Sequence, residues 1–252
     1  MITYPQLRHA GRLIHFKSPA GLCVDKRGNV YILDHTKRSQ QIREYAHASI
    51  RPIRVLSEDT QTLDACAVDL ASGDLAVTSY KQRSGDVGVV AIYPKAQDRP
   101  KYYTDPAIQV IKYCAYDHNG NLFVDGWDFN VNFILEELPR GAKSFVNIKL
   151  DQSIEGPGGI QLRGNHLVIG DIDNGVAYEF AMTHNRGKRV STTHLNLAAG
   201  VEGFALLPGL IISPEYYDNS GVGIWEYPKG GDAKATIYNF RFPENVAISR
   251  PQ

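Results

Sequence analysis

PAGLCVDKRGNVYILD, from Pro19 to Asp34, decides the fold: an apolar run, a polar turn on Gly28-Asn29, and a second apolar run ending in a carboxylate. The plan returns in LDACAVDLASGDLAVTS (Leu63 to Ser79), IKYCAYDHNGNLFVD (Ile111 to Asp125), GPGGIQLRGNHLVIGD (Gly156 to Asp171) and VEGFALLPGLIISP (Val201 to Pro214). The turn glycines Gly28, Gly73, Gly120, Gly164 and Gly209 lie 45, 47, 44 and 45 residues apart. A period of that length with strand-turn-strand content marks a propeller blade. Behind each pair comes a second pair of strands, opening at Ile42, Val89, Phe133, Val176 and Gly223. Its first run often closes on an aromatic or leucine before proline, as in Tyr93-Pro94, Leu138-Pro139 and Tyr227-Pro228. Proline there ends a strand without removing a donor from mid-ladder.

The units span approximately 19–56, 63–104, 111–150, 156–195 and 201–240. Residues 1–16 read as third and fourth strands, and 242–252 as a first strand, of a further unit. The expectation is one all-β domain over 1–252, a six-bladed β-propeller of four-stranded antiparallel blades. Its closing blade is shared by the N- and C-termini, which removes exposed edges. No segment supplies that blade's second strand: either it is built irregularly or the natural chain begins upstream of Met1. The second reading leaves room for a lost leader and an extracytoplasmic location.

Lys plus Arg and Asp plus Glu each number 27 in the 252 residues, so no global field recruits nucleic acid or an anionic membrane. No apolar run approaches the roughly 18 residues of a membrane span, and a monomer is expected. Cys66 and Cys114 hold equivalent positions in successive units and Cys23 sits one residue along. In first strands among apolar neighbours, all three are expected to be buried free thiols. No C-x-x-C pair suggests zinc.

The P-x-G-φ-x-φ-D-x-x-G-N-φ-Y-φ-x-D pattern of Pro19 to Asp34 resembles NHL-type six-bladed propellers. YCAYDHNGNLFVDG (Tyr113 to Gly126) and LDQSIEGPGGIQ (Leu150 to Gln161) resemble uncharacterised, typically exported bacterial propellers distantly related to gluconolactonase-like lactonases. The resemblance implies the fold over the whole chain and does not assign an activity.

First strands line a propeller's channel, and aligning them on their apolar alternation gives one ring position per blade: Ala20, Asp64, Lys112, Gly158, Glu202 and Glu244. Three carboxylates and one ammonium converge there. Glu202-Gly203 falls where the resemblance to gluconolactonase-like propellers implies the Glu-Gly of a divalent-metal site, so Glu202, Glu244 and Asp64 are candidate ligands for Ca2+ or Zn2+. The other ligand places of that family hold Ala20, Gly158 and Lys112 here. Without a metal, Lys112 would pair with Asp64 and leave Glu202 and Glu244 to water or each other.

Around that mouth, loops bring Lys37, Arg38, Lys81 and Arg83 on one side and Asp125, Asp128, Asp171, Asp173, Glu215 and Asp218 on the other, with Trp127, Phe129, Tyr216 and Tyr217 among them. Aromatic faces beside carboxylates suit sugars and cationic or amide-rich ligands. Asp25, Asp69 and Asp117 precede the Gly turns and are expected to fix them. His35 alone among the histidines is assigned to the mouth and is the candidate general base. No nucleophile elbow, phosphate loop or H-E-x-x-H occurs.

The leading reading is a non-catalytic propeller binding a small molecule, glycan or peptide at a mouth lined by Asp64, Lys112, Glu202, Glu244, Trp127, Tyr216, Asp125 and Asp171. Alternatives are a metal-assisted lactonase or esterase, and a scaffold whose outer blade edges recruit proteins.

Overall fold

The computed structural model describes residues 1–3, 5–35, 40–58, 62–80, 87–196, 198, 200–215, 221–240 and 242–250. A hairpin of β1 (Ile2–Thr3) and β2 (Arg8–His9) precedes blade one, built from β3 (Pro19–Val24), β4 (Val30–His35), β5 (Gln40–Tyr45) and β6 (Pro52–Glu58). Blade two comprises β7 (Thr62–Val68), β8 (Leu75–Tyr80), β9 (Val89–Tyr93) and β10 (Lys101–Thr104); blade three comprises β11 (Val110–Tyr116), β12 (Leu122–Trp127), β13 (Phe133–Leu138) and β14 (Val146–Asn147). The short β15 (Lys149–Leu150) crosses over and pairs parallel to the outer strand of blade four, whose main strands are β16 (Pro157–Arg163), β17 (His166–Asp171), β18 (Val176–Thr183) and β19 (Arg186–His194). Blade five comprises β20 (Ala205–Leu207), β21 (Leu210–Glu215), β22 (Gly221–Glu226) and β23 (Ala235–Ile237). In every blade, sequential neighbours pair antiparallel.

The alternation of each strand dictates the packing, because successive side chains leave opposite faces. Four apolar clusters are each shared by two consecutive blades. Leu33 and Ile42 meet Leu63 and Val77; Ala76 and Val90 meet Ile111 and Val124. Phe123 and Leu135 meet Ile160 and Ile169; Val168 and Ala177 meet Phe204 and the fully buried Trp225. A polar link reinforces the interface between blades four and five. The Tyr227 hydroxyl of blade five donates to Glu179 of blade four at 2.8 Å, and Glu179 also takes His166 at 2.6 Å and Ser191 at 3.2 Å.

The expected sixth blade does not form. The described residues contain five four-stranded blades, and blade five is covered next by the β1–β2 hairpin region and by the C-terminal segment 242–250, which forms no strand. Among the described residues the N-terminal segment pairs only with itself, as β1 with β2, and the C-terminal segment makes a single bridge, Gly203 to Asn245, so the two do not join into one ladder. Contacts still reach from blade five to blade one. Leu7, Val246 and Ile248 cover Ile212, Val222 and Ile224 of blade five. Ser249 donates to the carbonyl of Gly28 at 2.6 Å and meets His47 Nδ1 at 2.6 Å, both in blade one.

The cysteine expectation is overturned for two of the three. Cys23 and Cys66 form a disulfide, with Cα atoms 5.6 Å apart. First strands of adjacent blades lie side by side at the channel, so residues 43 apart in sequence become neighbours. Cys114 remains a buried free thiol, and burial pushes its pKa up, away from the reactive thiolate.

Two outcomes follow from this architecture. Cross-linking across blades one and two should stabilise the fold by about 4 kcal/mol in the chain-entropy account, so a Cys23→Ala/Cys66→Ala double variant should unfold at lower urea with Cys114 still protected from alkylation. Tyr227→Phe removes a hydrogen bond to a charged acceptor and should cost about 1.5–3 kcal/mol in the same urea titration.

Candidate functional site

The ring positions owe their convergence to a defect repeated at the same place in four blades. In the first strand, two residues oppose one on the second strand: Ala20-Gly21 face Leu33, Asp64-Ala65 face Thr78, Lys112-Tyr113 face Asp125, and Gly158-Gly159 face Gly170. A bulge of this kind breaks the ladder, bends the strand and re-aims the extra side chain. The ladder also loses an acceptor for the second bulge residue's N–H. Thr78 Oγ1 accepts from Ala65 N–H at 2.9 Å, and Asp125 Oδ1 accepts from Tyr113 N–H at 3.1 Å. In blade four the role passes to the neighbour, where Gly159 N–H donates to the carbonyl of Glu202 at 3.0 Å. Gly203 N–H in turn donates to the carbonyl of Glu244 at 3.1 Å, and a Cβ on Gly203 would fall 2.3 Å from Asn245. The main chains of successive ring positions thus nearly touch.

The polar side chains of the ring act on one another. Lys112 Nζ lies 2.9 Å from Asp64 Oδ2 and 3.1 Å from Oδ1, closing blade three onto blade two. Burial pushes the Asp64 carboxyl upward, and Lys112 with His35 opposes that rise. Glu202 is pushed up to about 7, first by burial and then by Glu244, with Lys112 opposing. Tyr113, which sequence reasoning passed over, lies among them: burial, then Glu202, Asp64, Asp125 and Glu244, hold its phenol well above its ordinary value. Its ring centroid is 5.9 Å from Lys112 Nζ. Its position in the chain, one residue after Lys112, would have found it had the bulge been legible.

The other sequence-derived positions divide. Asp125 is wholly buried behind Lys112-Tyr113 rather than in the mouth, where it satisfies the bulge; its Oδ2 has no hydrogen-bond partner, and burial raises its pKa well above the ordinary value. Asp171 is likewise fully buried and accepts from the backbone N–H groups of Glu155, Gly156 and Asp173, so it fixes the start of β16 rather than presenting a carboxylate to a ligand. Asp128 makes a turn, accepting from Asn130 and Asn132, and the Asn132 side chain leads the bonds that lower its pKa. Asp25, Asp69 and Asp117 accept turn N–H groups, as the repeat predicts. Trp127 ends β12, half-buried, beside the exposed Phe129. His35 reaches from blade one to hydrogen-bond the carbonyl of Leu63 through Nε2. That nitrogen carries the proton and is not a base; only Nδ1 could serve. Tyr216, Tyr217, Asp218, Lys37, Arg38, Lys81 and Arg83 lie outside the described residues.

Among the described residues, no group of three or more His, Cys, Asp or Glu side chains is gathered as a metal set. Asp64, the third expected ligand, is held by the Lys112 ammonium, which would repel a second cation from the same carboxylate. A separate cavity of about 510 Å3 lies at the outer edge of blade three, between β13 and residues 152–155. It opens where β14 pairs with only Glu136 and Glu137 of β13.

Among the described residues no helix is long and apolar enough to cross a membrane. No protein-family model and no curated protein matches the chain. Among solved structures it is similar to one from a nidogen–laminin complex, at 13% identity and a TM-score of 0.72 over 87% of this chain and 80% of that one. It is also similar to a streptogramin B lyase, at 15% identity and a TM-score of 0.60 over 92% of this chain and 72% of that one.

Glu202 links the site to pH. Its ordinary pKa is 4.5 and its folded one about 7, so between these values the folded chain binds the extra proton and loses stability as pH rises. Glu202→Gln should therefore be more stable than the parent at about pH 8 and closely matched to it at about pH 4, read as urea midpoints. Lys112→Met should move the Asp64 and Glu202 titrations upward in carboxyl NMR, because the cation favours both ionised forms. The similarities to solved structures establish for this chain a β-propeller fold, and that fold alone.

Proposed function

We propose that this protein is a non-catalytic propeller that binds a small molecule, glycan or peptide at the channel mouth. One observation carries the reading: charged and aromatic side chains from separate blades, Asp64, Lys112, Tyr113, Glu202 and Glu244, act on one another at the ring. Glu202 is half-buried and its carboxyl is raised by burial and then by Glu244, a cost in stability that a binding function would offset. Trp127, half-buried at the end of β12, is proposed as the aromatic wall. Nothing in the ring supplies a nucleophile with an adjacent base, and the donor set argues against the metal-assisted hydrolase. The proposed location is extracytoplasmic, since a disulfide such as Cys23–Cys66 persists in oxidising compartments.

A second reading has its own support in the outer cavity of blade three, where the upper part of β13 faces a groove of mixed lining, with Phe133, Leu150 and Ile154 beside Asn132, Gln152 and Glu155. An unpaired strand edge beside such a groove suits an extended segment of a partner protein. The two readings separate in one experiment. A glycan and peptide array is probed with the parent, Trp127→Ala, Glu202→Gln and Ile134→Pro. A mouth site predicts loss of about tenfold or more with the first two and none with the third. The converse pattern would move the function to the outer edge.

A further inference from the structure

We propose that the seam between blade five and blade one is a docking slot for an extended segment of a partner protein, a strand of about six residues, apolar on both faces, that completes a sixth blade. The slot lies between residues 246–249 and the β1–β2 hairpin. It is independent of the mouth and of the outer cavity of blade three.

The burial of the second strands carries the proposal. In blades two, three and four these strands are closed on both faces, so that adjacent residues are buried together: Leu75 with Ala76, Phe123 with Val124, Leu167 with Val168. In blade one only one face is closed. Tyr31 and Leu33 are buried against blade two, whereas Val30 and Ile32, which share the other face with Leu22 and Val24, stay partly exposed. Further out on that face Val55 is 47% exposed. The open face looks towards the terminal segments, since Phe16 packs on Arg43 and Tyr45, the cross-strand neighbours of Ile32 and Val30. Across the seam, Ile212 and Val222 of blade five are buried, but Leu207, Leu210 and Ile237 beside them are not.

Unpaired backbone marks the same place. Val246 N–H donates to the carbonyl of Gly203 at 3.0 Å, and Ser249 reaches the Gly28 turn, so residues 244–249 run where a first strand runs. In blade one the residues past the ring position enter a ladder, Leu22-Cys23-Val24 with Ile32-Tyr31-Val30. Here, among the described residues, no backbone–backbone hydrogen bond reaches Ala247 or Ile248, and β1 pairs with β2 alone. Leu7, between β1 and β2, packs in one cluster with Val246 and Ile248. Two unpaired edges and two unfinished apolar walls thus meet at one seam.

The repeat dictates the occupant. The second strands VYILDH, LAVTSY, LFVDGW, HLVIGD and LIISPE are each 6 residues long, with apolar residues on both faces and a hydroxyl or carboxylate near the end. Each is already built into its own blade, so a second copy of this chain has no spare one without dismantling a blade. A strand from a different protein meets no such obstacle, and its main chain gains hydrogen bonds on both sides.

The test adds a peptide, VYILD between solubilising lysines, to the intact protein and follows amide hydrogen exchange and backbone shifts. VKIKD in the same frame, apolar on one face only, is the control. Expected with VYILD are exchange slowed by about tenfold or more at Ala247 and Ile248, shifts at Thr3 and Ile32, and none at Ile134 of blade three. VKIKD should give no such protection. Val30→Thr and Val246→Thr, isosteric changes on the two partly exposed walls, should each weaken the peptide about threefold or more while the urea midpoint holds. Equal protection by both peptides would overturn the two-walled slot. Protection by neither would overturn the proposal outright, and sedimentation would then show whether a second copy holds the seam, as dimers that dissociate on dilution, or the chain closes it alone. None of these outcomes bears on the mouth, whose own test reads Trp127 and Glu202.

Discussion

Everything at the mouth depends on a backbone constraint: two residues opposed to one at the start of the first strand in four blades, with the stranded N–H of blades two, three and four taken by three different acceptors. Thr78 and Asp125 do this from within the blade, and the carbonyl of Glu202 does it from the next position round the ring, where Glu244 in turn accepts from Gly203 N–H. The bulge bends each strand where the channel opens, so that residues dozens of positions apart become electrostatic neighbours. A regular ladder would have continued the strict alternation of faces. The main-chain hydrogen bonds between ring positions then hold the polar residues to a spacing at which burial and mutual repulsion raise the proton affinity of Glu202.

The same constraint explains why Asp125 is not a mouth residue although its place in the repeat matches other strand-ending carboxylates. Asp34 accepts from the N–H groups of Lys17 and Ser18 and pairs with Arg43; Asp171 accepts from three backbone N–H groups. One residue type at one repeat position serves as an internal acceptor for the chain that approaches it. Only in blade three does the acceptor keep an oxygen unspent.

Much of this was legible in the sequence and some was not, for physical reasons that differ. The blade repeat could be read because turn glycines and apolar alternation are local consequences of strand geometry. The ring position was readable for the same reason, and the Lys112–Asp64 pair followed from adjacency in the ring. A bulge has no composition, so Tyr113 stayed hidden beside Lys112 and Asp125 was placed one layer too far out. The Cys23–Cys66 link was missed because equivalence in sequence suggested equivalence in space, whereas the offset of one residue puts the two sulfurs in contact. The count of six blades failed where pattern had to stand in for pairing: Met1–Phe16 has the aromatic-proline spacing of a blade but lacks the second strand that would make it one.

The cross-link between blades one and two divides the circle into unequal parts. On one side two modules are welded and must move as a block. On the other, between blade five and blade one, the join includes an apolar patch around Leu7, Val246 and Ile248, the main-chain bonds of Gly203 with Glu244 and Val246, and the hydrogen bonds of Ser249. Opening under heat or tension starts where the fewest contacts must break. The molecule therefore has a clasp and a weld, and whatever fraction of it breathes does so by parting at the clasp, with Glu244 carried on the moving lip.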